Sequence, residues 1–129
     1  MFENVKIKIM KGYLFLEYPA CGTCLKTKKW LDEQKVDYTN RHIVEERPTR
    51  EELKIWFERS ALPLRKFFNT SGLLYKSMQL REKLDGMSEE EQLELLASDG
   101  KLVKRPLVIG EDFVLVGFKP EEWEKVLLK

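Results

Sequence analysis

Apolar residues along this chain change their spacing twice, from a strand-like to a helical pattern and back. The first apolar run, Tyr13–Tyr18, is short and rich in aromatic residues and stops at Pro19, which predicts a buried β-strand. A helix is predicted from Leu25 to about Gln34, and a second strand from Val36 to Ile43. A strand, a helix and a strand within about 30 residues have the size of one βαβ unit.

The middle third has helical spacing, with two helix starts marked in the sequence. Thr49 followed by Glu52, and Ser88 followed by Glu91, are capping-box pairs that precede apolar helix faces. We therefore expect a helix after each pair, within a helical block over about residues 46–100. The stretches between the two helices are predicted as an apolar segment (64–68), a turn (69–72) and a mixed segment (73–84).

The last third returns to strand-like runs after Asp99-Gly100, which is expected to end the helical block. Leu107–Ile109 and Phe113–Val116 predict two strands joined by a short hairpin connection at 110–112. Pro120 suits the first position of a final helix. The inner face of that helix is predicted to consist of Trp123, Val126 and Leu127.

Length and charge narrow the class of protein. The 129 residues predict one domain (1–129) that is large enough to fold without a metal or a disulfide. Lys and Arg total 23 against 22 Asp and Glu, and this near balance argues against binding nucleic acid through bulk positive charge. No apolar run approaches the ~20 residues of a membrane span. Lysines interrupt the apolar residues at the start of the chain, so a signal peptide is not expected there. We therefore expect a soluble cytoplasmic protein with no membrane or direct nucleic-acid partner. The residues before Lys11 fit either an additional strand or a start assigned too early, with Met10 as the first residue.

Cys21 and Cys24 lie where the first predicted strand ends and the first helix follows. Unpaired backbone N–H groups and the helix dipole favour the thiolate at such a position, and lysines at 26, 28 and 29 add positive potential. The C-x-x-C spacing lets Cys24 attack an intermediate formed on Cys21, so we predict redox or nucleophilic chemistry. Two buried cysteines acting as small hydrophobes are the alternative. A zinc site is not expected, because His42 is the chain's only histidine and no third cysteine exists.

The same turn suits an anion. Backbone donors around Gly22, Thr23 and Cys24 are placed to hold an oxyanion over the Cys21 sulfur. A tetrahedral anion also needs cationic side chains from elsewhere in the chain, which makes the arginines candidates for the same site.

Three separated motifs resemble the arsenate reductase family, in its glutaredoxin-like branch of the thioredoxin-like superfamily. The segment 18–24, Tyr-Pro-Ala-Cys-Gly-Thr-Cys, is similar to the family's Pro-Ala-Cys-Gly-Thr-Ser loop, with Cys24 replacing the serine. Leu64-Arg65-Lys66 resembles its Leu-Arg-Lys run, and the segment 104–108 resembles its Arg-Pro-Ile-Val segment, whose proline is cis. The agreement of three motifs in order makes the resemblance specific.

The resemblance implies a role for each matching residue. Cys21 would be the nucleophile that attacks arsenate, and Arg65 and Arg105 two of three arginines that hold the oxyanion. The third arginine is Lys119 here, which keeps the charge but loses the bidentate fork. Pro106 would be the structural cis-proline, which would place Arg105 beside the Cys21 loop. The family's His-Asn pair before the loop is Glu17-Tyr18 in this chain.

The resemblance also implies the fold and the activity. We expect an α/β, thioredoxin-like fold, βαβ then ββα around a mixed four-stranded sheet, formed by about residues 11–45 and 101–129 with the helical block as an insertion. The expected activity is that of a thiol-dependent reductase that acts on a small oxyanion (arsenate) or on a disulfide. Cys24 or glutathione would resolve the intermediate, and glutathione with glutaredoxin, or thioredoxin, would be the reductant. No bound cofactor or metal is expected. The protein is expected to be a monomer.

Two alternatives to arsenate reduction follow from the same residues. Cys24 makes the loop similar to the Spx-type regulators, which bind RNA polymerase and use C-x-x-C as a disulfide switch, so the polymerase α subunit is a candidate partner. The segment 57–64 lacks the glycine of the polymerase-contacting stretch in those regulators, and we rank the regulator second. A general disulfide or glutathione reductase without metalloid activity is the other alternative.

Overall fold

Residues 12–128 are described by the computed structural model, and their strands form one mixed four-stranded sheet. The strands are β1 (Tyr13–Glu17), β2 (Tyr38–His42), β3 (Leu107–Ile109) and β4 (Val114–Val116). Their order across the sheet is β2-β1-β3-β4, with β1 parallel to β2 and both other pairs antiparallel. The prediction for the residues before Lys11 lies outside the described residues.

Helices connect and cover the strands. They are α1 (Gly22–Glu33), α2 (Arg50–Ser60), α3 (Leu73–Ser77), α4 (Leu80–Lys83), α5 (Glu89–Ser98) and α6 (Pro120–Leu127). Short 3₁₀ turns lie at Leu64–Phe67, Leu84–Gly86 and Gly100–Leu102. A β1-α1-β2 unit followed, after the helical block, by β3-β4-α6 is a thioredoxin-like fold, which confirms the predicted fold class.

The two faces of the sheet carry separate hydrophobic cores because side chains alternate along each strand. On one face, the side chains of Phe15, Val108 and Leu115 pack against Leu31 of α1 and Trp123 of α6. On the other face, alternate strand residues pack against the helical block, and these residues are Leu16, Leu107, Ile109 and Val114. The sheet thus separates α1, which carries both cysteines, from the helices of the block.

Helix capping links the helical block to the sheet. Thr49 and Glu52 form the predicted capping box at the start of α2, and Ser88 and Glu91 form the other at the start of α5. The Glu52 carboxylate also accepts two hydrogen bonds from the Arg41 guanidinium of β2, at 2.8 and 2.9 Å. Charge-assisted bidentate pairs of this kind add geometric specificity as well as stabilising energy. The pair therefore holds α2 against β2.

Two predicted boundaries are wrong. Helix α1 begins at Gly22 rather than Leu25, because Cys21 takes an extended N-cap conformation and its carbonyl already accepts the Leu25 N–H at 3.1 Å. Strand β2 begins at Tyr38 rather than Val36, since Lys35 turns the chain at φ 59°. The stretch 73–84, predicted only as a mixed segment, forms two short helices that are separated at Gln79, where φ is 57°. No helix among residues 12–128 is long and apolar enough to cross a membrane.

Candidate active site

Cys21 is the N-cap residue of α1, at the end of the loop that follows β1. Its backbone N–H donates to the Tyr18 carbonyl at 2.8 Å, which closes a tight turn through Pro19 and Ala20. No side chain caps this helix. The Cys21 side chain is half-buried, and the first-turn N–H groups of α1, which have no intrahelical partner, are the natural donors to its sulfur.

The pKa of the Cys21 thiol is lowered from its ordinary value. Partial burial acts to raise this pKa, and the effect is outweighed by the backbone N–H and thiol of Cys24, the Arg105 guanidinium and the Thr23 N–H, which all favour the thiolate. Because the thiolate is the reactive form of cysteine, Cys21 is the better nucleophile of the pair.

Cys24 has the opposite environment. Its side chain is fully buried one turn into α1, and burial raises the pKa of its thiol to about 12, with the adjacent Cys21 adding to the rise. The Tyr18 N–H lies 3.5 Å from the Cys24 sulfur and favours its thiolate. Cys21 is partly exposed and Cys24 is buried, and these positions suit an accessible attacking thiol and a buried resolving thiol.

Arg105 lies in the segment before β3, where its guanidinium helps to lower the pKa of the Cys21 thiol, and the Arg105–Pro106 peptide bond is cis. The guanidinium lies over the Tyr18 ring, 4.9 Å from the ring centroid, and donates to the Lys101 carbonyl at 3.4 Å. The Tyr18 ring also packs edge-on against the His42 ring, with 5.8 Å between the ring centroids. Tyr18 therefore contacts both parts of the site, Cys24 through its N–H and Arg105 through its ring.

Tyr18→Leu is expected to raise the pH midpoint at which Cys21 reacts with iodoacetamide, because Arg105 loses the aromatic ring that positions it. Cation–π contacts at such sites contribute about 0.5–2 kcal/mol, so the alkylation rate at pH 7 should fall several-fold. Tyr18→Phe keeps the ring and should behave like the wild type. A similar midpoint in both variants, with both folded by circular dichroism, would contradict the role of the ring.

The predicted anion-binding side chains lie along one cleft of about 760 Å³ between the sheet edge and the helical block. Thr23, Arg65, Arg105 and Lys119 all line it. Gly22 does not, and its α-carbon faces open space at the start of α1. Cys21 itself is not one of the lining residues, but Arg105 and Thr23, which both favour its thiolate, are. The spatial arrangement is consistent with an anion held beside the nucleophile.

Arg65 already has an anionic partner. Its guanidinium donates to the Asp85 carboxylate at 2.6 Å, with the two side chains 42% and 86% exposed. An oxyanion that uses Arg65 must compete with this carboxylate, and Asp85 gave no sign of that role in the sequence. Exposed pairs contribute about 0–1 kcal/mol, so the competition is weak.

Asp85→Asn is therefore expected to lower the KM for arsenate, or the inhibition constant of the unreactive oxyanion sulfate, by roughly two- to fivefold. The reason is that Arg65 becomes available and a nearby negative charge is lost. Glu82→Gln on α4 removes a charge without touching Arg65 and is the matched control. An unchanged constant in Asp85→Asn would show that Arg65 does not contact the anion.

Glu17 is a buried carboxylate next to the loop. Its side chain is about 4% exposed, one oxygen lies 3.9 Å from the Lys28 ammonium, and the other has no hydrogen-bond partner. Among residues 12–128 there is no cluster of three or more side chains suited to hold a metal. Glu17 was noted in the sequence only as a departure from the related motif, and its burial was not predicted.

A partly exposed thiol at a helix N-terminus, paired with a buried thiol on a β1-α1-β2 unit, defines a thioredoxin-like protein with a C-x-x-C site. The chain belongs to the ArsC family, whose profile matches residues 16–126. The predicted family is thus confirmed.

Similar proteins carry different descriptions. A crystal structure of an ArsC family related protein from Bacteroides fragilis is 63% identical, with a TM-score of 0.87, and covers 91% of this chain and 98% of its own. A structure described as a possible arsenate reductase from Streptococcus mutans is 40% identical, with a TM-score of 0.80, covering 87% and 97%. Regulatory protein MgsR of Bacillus subtilis is 33% identical over 89% of this chain and 90% of its own. The chain is therefore similar both to a protein described as a possible arsenate reductase and to one described as a regulatory protein.

Proposed function

We propose that this protein is a thiol-dependent reductase in which Cys21 attacks an oxyanion or a disulfide and Cys24 resolves the intermediate. The observation that supports this most is the unequal pair of thiols. Cys21 is accessible with a lowered pKa, whereas Cys24 is buried with a pKa raised to about 12. A thiol pair that served only to fill the core would not need one member at the surface.

With a disulfide substrate, the Cys21 thiolate attacks one sulfur, the substrate S–S bond breaks and one thiolate leaves. The Cys24 thiol then loses its proton and attacks the Cys21 sulfur, which forms the Cys21–Cys24 disulfide and releases the second substrate thiolate. Once Cys21 is in the mixed disulfide it carries no negative charge, so one cause of the raised Cys24 pKa is removed at the step where Cys24 must react. Glutaredoxin with glutathione, or thioredoxin, supplies the two electrons that restore both thiols.

With arsenate, the Cys21 sulfur bonds to arsenic and a hydroxide or water leaves. Attack of Cys24 or glutathione on the Cys21 sulfur forms an S–S bond and leaves the electron pair of the broken S–As bond on arsenic, which departs as arsenite. Arg105, Lys119 and Arg65 line the cleft in which the arsenate oxygens would lie. Fixed cations aimed at developing negative charge are the main source of rate enhancement in such sites.

The proposal is tested by substrate-dependent NADPH oxidation in two coupled systems, glutathione–glutaredoxin–glutathione reductase and thioredoxin–thioredoxin reductase. Arsenate and a small disulfide such as hydroxyethyl disulfide are offered separately in each system. Turnover above the rate without the protein is expected with at least one substrate. The absence of turnover with both substrates in both systems would refute the reductase.

A redox-sensing regulator is a second candidate, supported by the 33% identity to MgsR across almost the whole chain. In that case formation of the Cys21–Cys24 disulfide would change a surface that binds the RNA polymerase α subunit. The test is whether the purified α subunit is retained on the immobilised protein, measured separately for its reduced and its oxidised form. No binding in either state would exclude this candidate.

A further inference from the structure

The cleft beside Cys21 is much larger than an oxyanion requires. Its volume of about 760 Å³ lies in the range that encloses organic ligands, which occupy clefts of about 300–1,000 Å³. A tetrahedral anion held by Arg105 and Lys119 would fill only a small part of it. Apolar side chains of Leu62, Phe68 and Phe118 form other parts of the wall, and a bare oxyanion has nothing to place against them.

The charge of the cleft differs from that of the chain. Five cationic side chains line it against one carboxylate, Glu122, although the chain as a whole has a net charge of only +1. The cations are Arg65, Lys66, Lys104, Arg105 and Lys119. Of these, only Arg65 has a carboxylate within salt-bridge distance among residues 12–128. The positive potential of the cleft is therefore left available to a ligand.

Lys104 reaches the cleft across Gly117. Its Cε lies 3.2 Å from the position that a β-carbon would take at Gly117, and Gly117 has a φ of 73°, which a side chain would disfavour. Lys104 is anchored by its backbone N–H, which donates to the Phe67 carbonyl at 2.7 Å. The glycine thus leaves room for a cation to which the motif resemblance assigns no role.

We propose that the cleft binds a peptide disulfide flanked by carboxylates, so that the natural substrate class is an acidic peptide segment carrying a disulfide. This rests on the proposed reductase function and narrows its substrate. The carboxylates would lie along Lys66, Lys104 and Lys119, and peptide side chains would contact Leu62 and Phe118. The disulfide would lie beside Cys21, whose thiolate breaks the peptide S–S bond as described above, with Cys24 releasing the second peptide thiolate and a dithiol reductant restoring the enzyme.

The test uses three symmetrical peptide disulfides that differ only in charge: dimers of Glu-Glu-Cys-Glu-Glu, Gln-Gln-Cys-Gln-Gln and Lys-Lys-Cys-Lys-Lys. We expect kcat/KM for the acidic dimer to exceed that for the neutral dimer by roughly tenfold at low salt, and that for the basic dimer to be lowest. The preference should shrink at high salt, because exposed charges are screened there. Lys66→Gln/Lys104→Gln should lower the acidic-to-neutral ratio several-fold, because Arg65, Arg105 and Lys119 still line the cleft, whereas Lys76→Gln on the exposed side of α3 should leave the ratio as in the wild type.

A binding measurement separates recognition from chemistry. Fluorescence anisotropy of a labelled Glu-Glu-Ser-Glu-Glu peptide with the Cys21→Ser protein should show binding roughly tenfold tighter than that of the Gln analogue. Equal kcat/KM for the acidic and neutral dimers would refute the acidic substrate while leaving the reductase in place. Turnover of arsenate with none of the peptides reduced would refute the peptide substrate, and no turnover of any substrate would refute the proposed function itself.

Discussion

Cys21→Ser is expected to abolish turnover, with a loss on the order of 10³-fold or more, because a serine hydroxyl at this position cannot ionise at neutral pH. The donors that favour the Cys21 thiolate, from Thr23, Cys24 and Arg105, act on an atom that must carry charge to react. The measurement is kcat/KM for the best substrate in the coupled assay. Retention of more than about a tenth of the wild-type rate would show that Cys21 is not the nucleophile.

Cys24→Ser is the matched control for that result. Cys21 keeps its position and its helix N–H donors in this variant, so the first bond to substrate still forms. The adduct on Cys21 should accumulate and be visible as a mass increase of the intact protein when no external thiol is present. Turnover should return in part when glutathione replaces Cys24 as the resolving thiol. Fast turnover without an accumulated adduct would contradict the resolving role of Cys24.

Local patterns predicted the elements of this fold well because each depends on neighbouring residues. The capping boxes at Thr49 and Ser88 are both present, and Pro120 begins α6 as predicted. The wrong start of β2 and the break within the segment 73–84 occur at Lys35 and Gln79, two residues with left-handed backbone. Neither glycine nor asparagine marks these positions, so nothing in the sequence indicates that the chain turns there.

The contacts that complete the site join residues far apart in the sequence. The stacking of Arg105 on Tyr18 and the pairing of Arg65 with Asp85 depend on how the sheet and the helical block assemble. Motif resemblance placed Arg65, Arg105 and Lys119 together as an anion site, and they share one cleft. The same resemblance contains no information on the roles of Asp85 and Lys104. Asp85 lies outside the motifs, and Lys104 lies within one of them but has no matched role.

Arg105 connects the two halves of the site, since it acts on the Cys21 thiol and lines the cleft for the substrate. Arg105→Gln removes the charge and keeps much of the volume. Two effects are expected in this variant. The pKa of Cys21 should rise, because one of the groups that favour its thiolate is lost, and an anionic substrate should bind less well, because a charge-assisted hydrogen bond contributes about 1.5–3 kcal/mol.

The two effects are separable by experiment. The pH profile of Cys21 alkylation by neutral iodoacetamide reports the thiol alone, and its midpoint should move to higher pH in Arg105→Gln. The kcat/KM for arsenate or an acidic disulfide should fall by roughly ten- to a hundredfold. The kcat/KM for a neutral disulfide should fall less, because only the anionic substrates lose the direct contact with Arg105. Arg105→Lys should restore much of the pH profile, but less of the anion binding, because an ammonium cannot form the bidentate contact.

Arg81→Gln, on the exposed side of α4, controls for loss of one positive charge. If Arg105→Gln leaves both the alkylation midpoint and the discrimination between anionic and neutral substrates unchanged, Arg105 has no part in the site, and the cleft and the thiol operate independently.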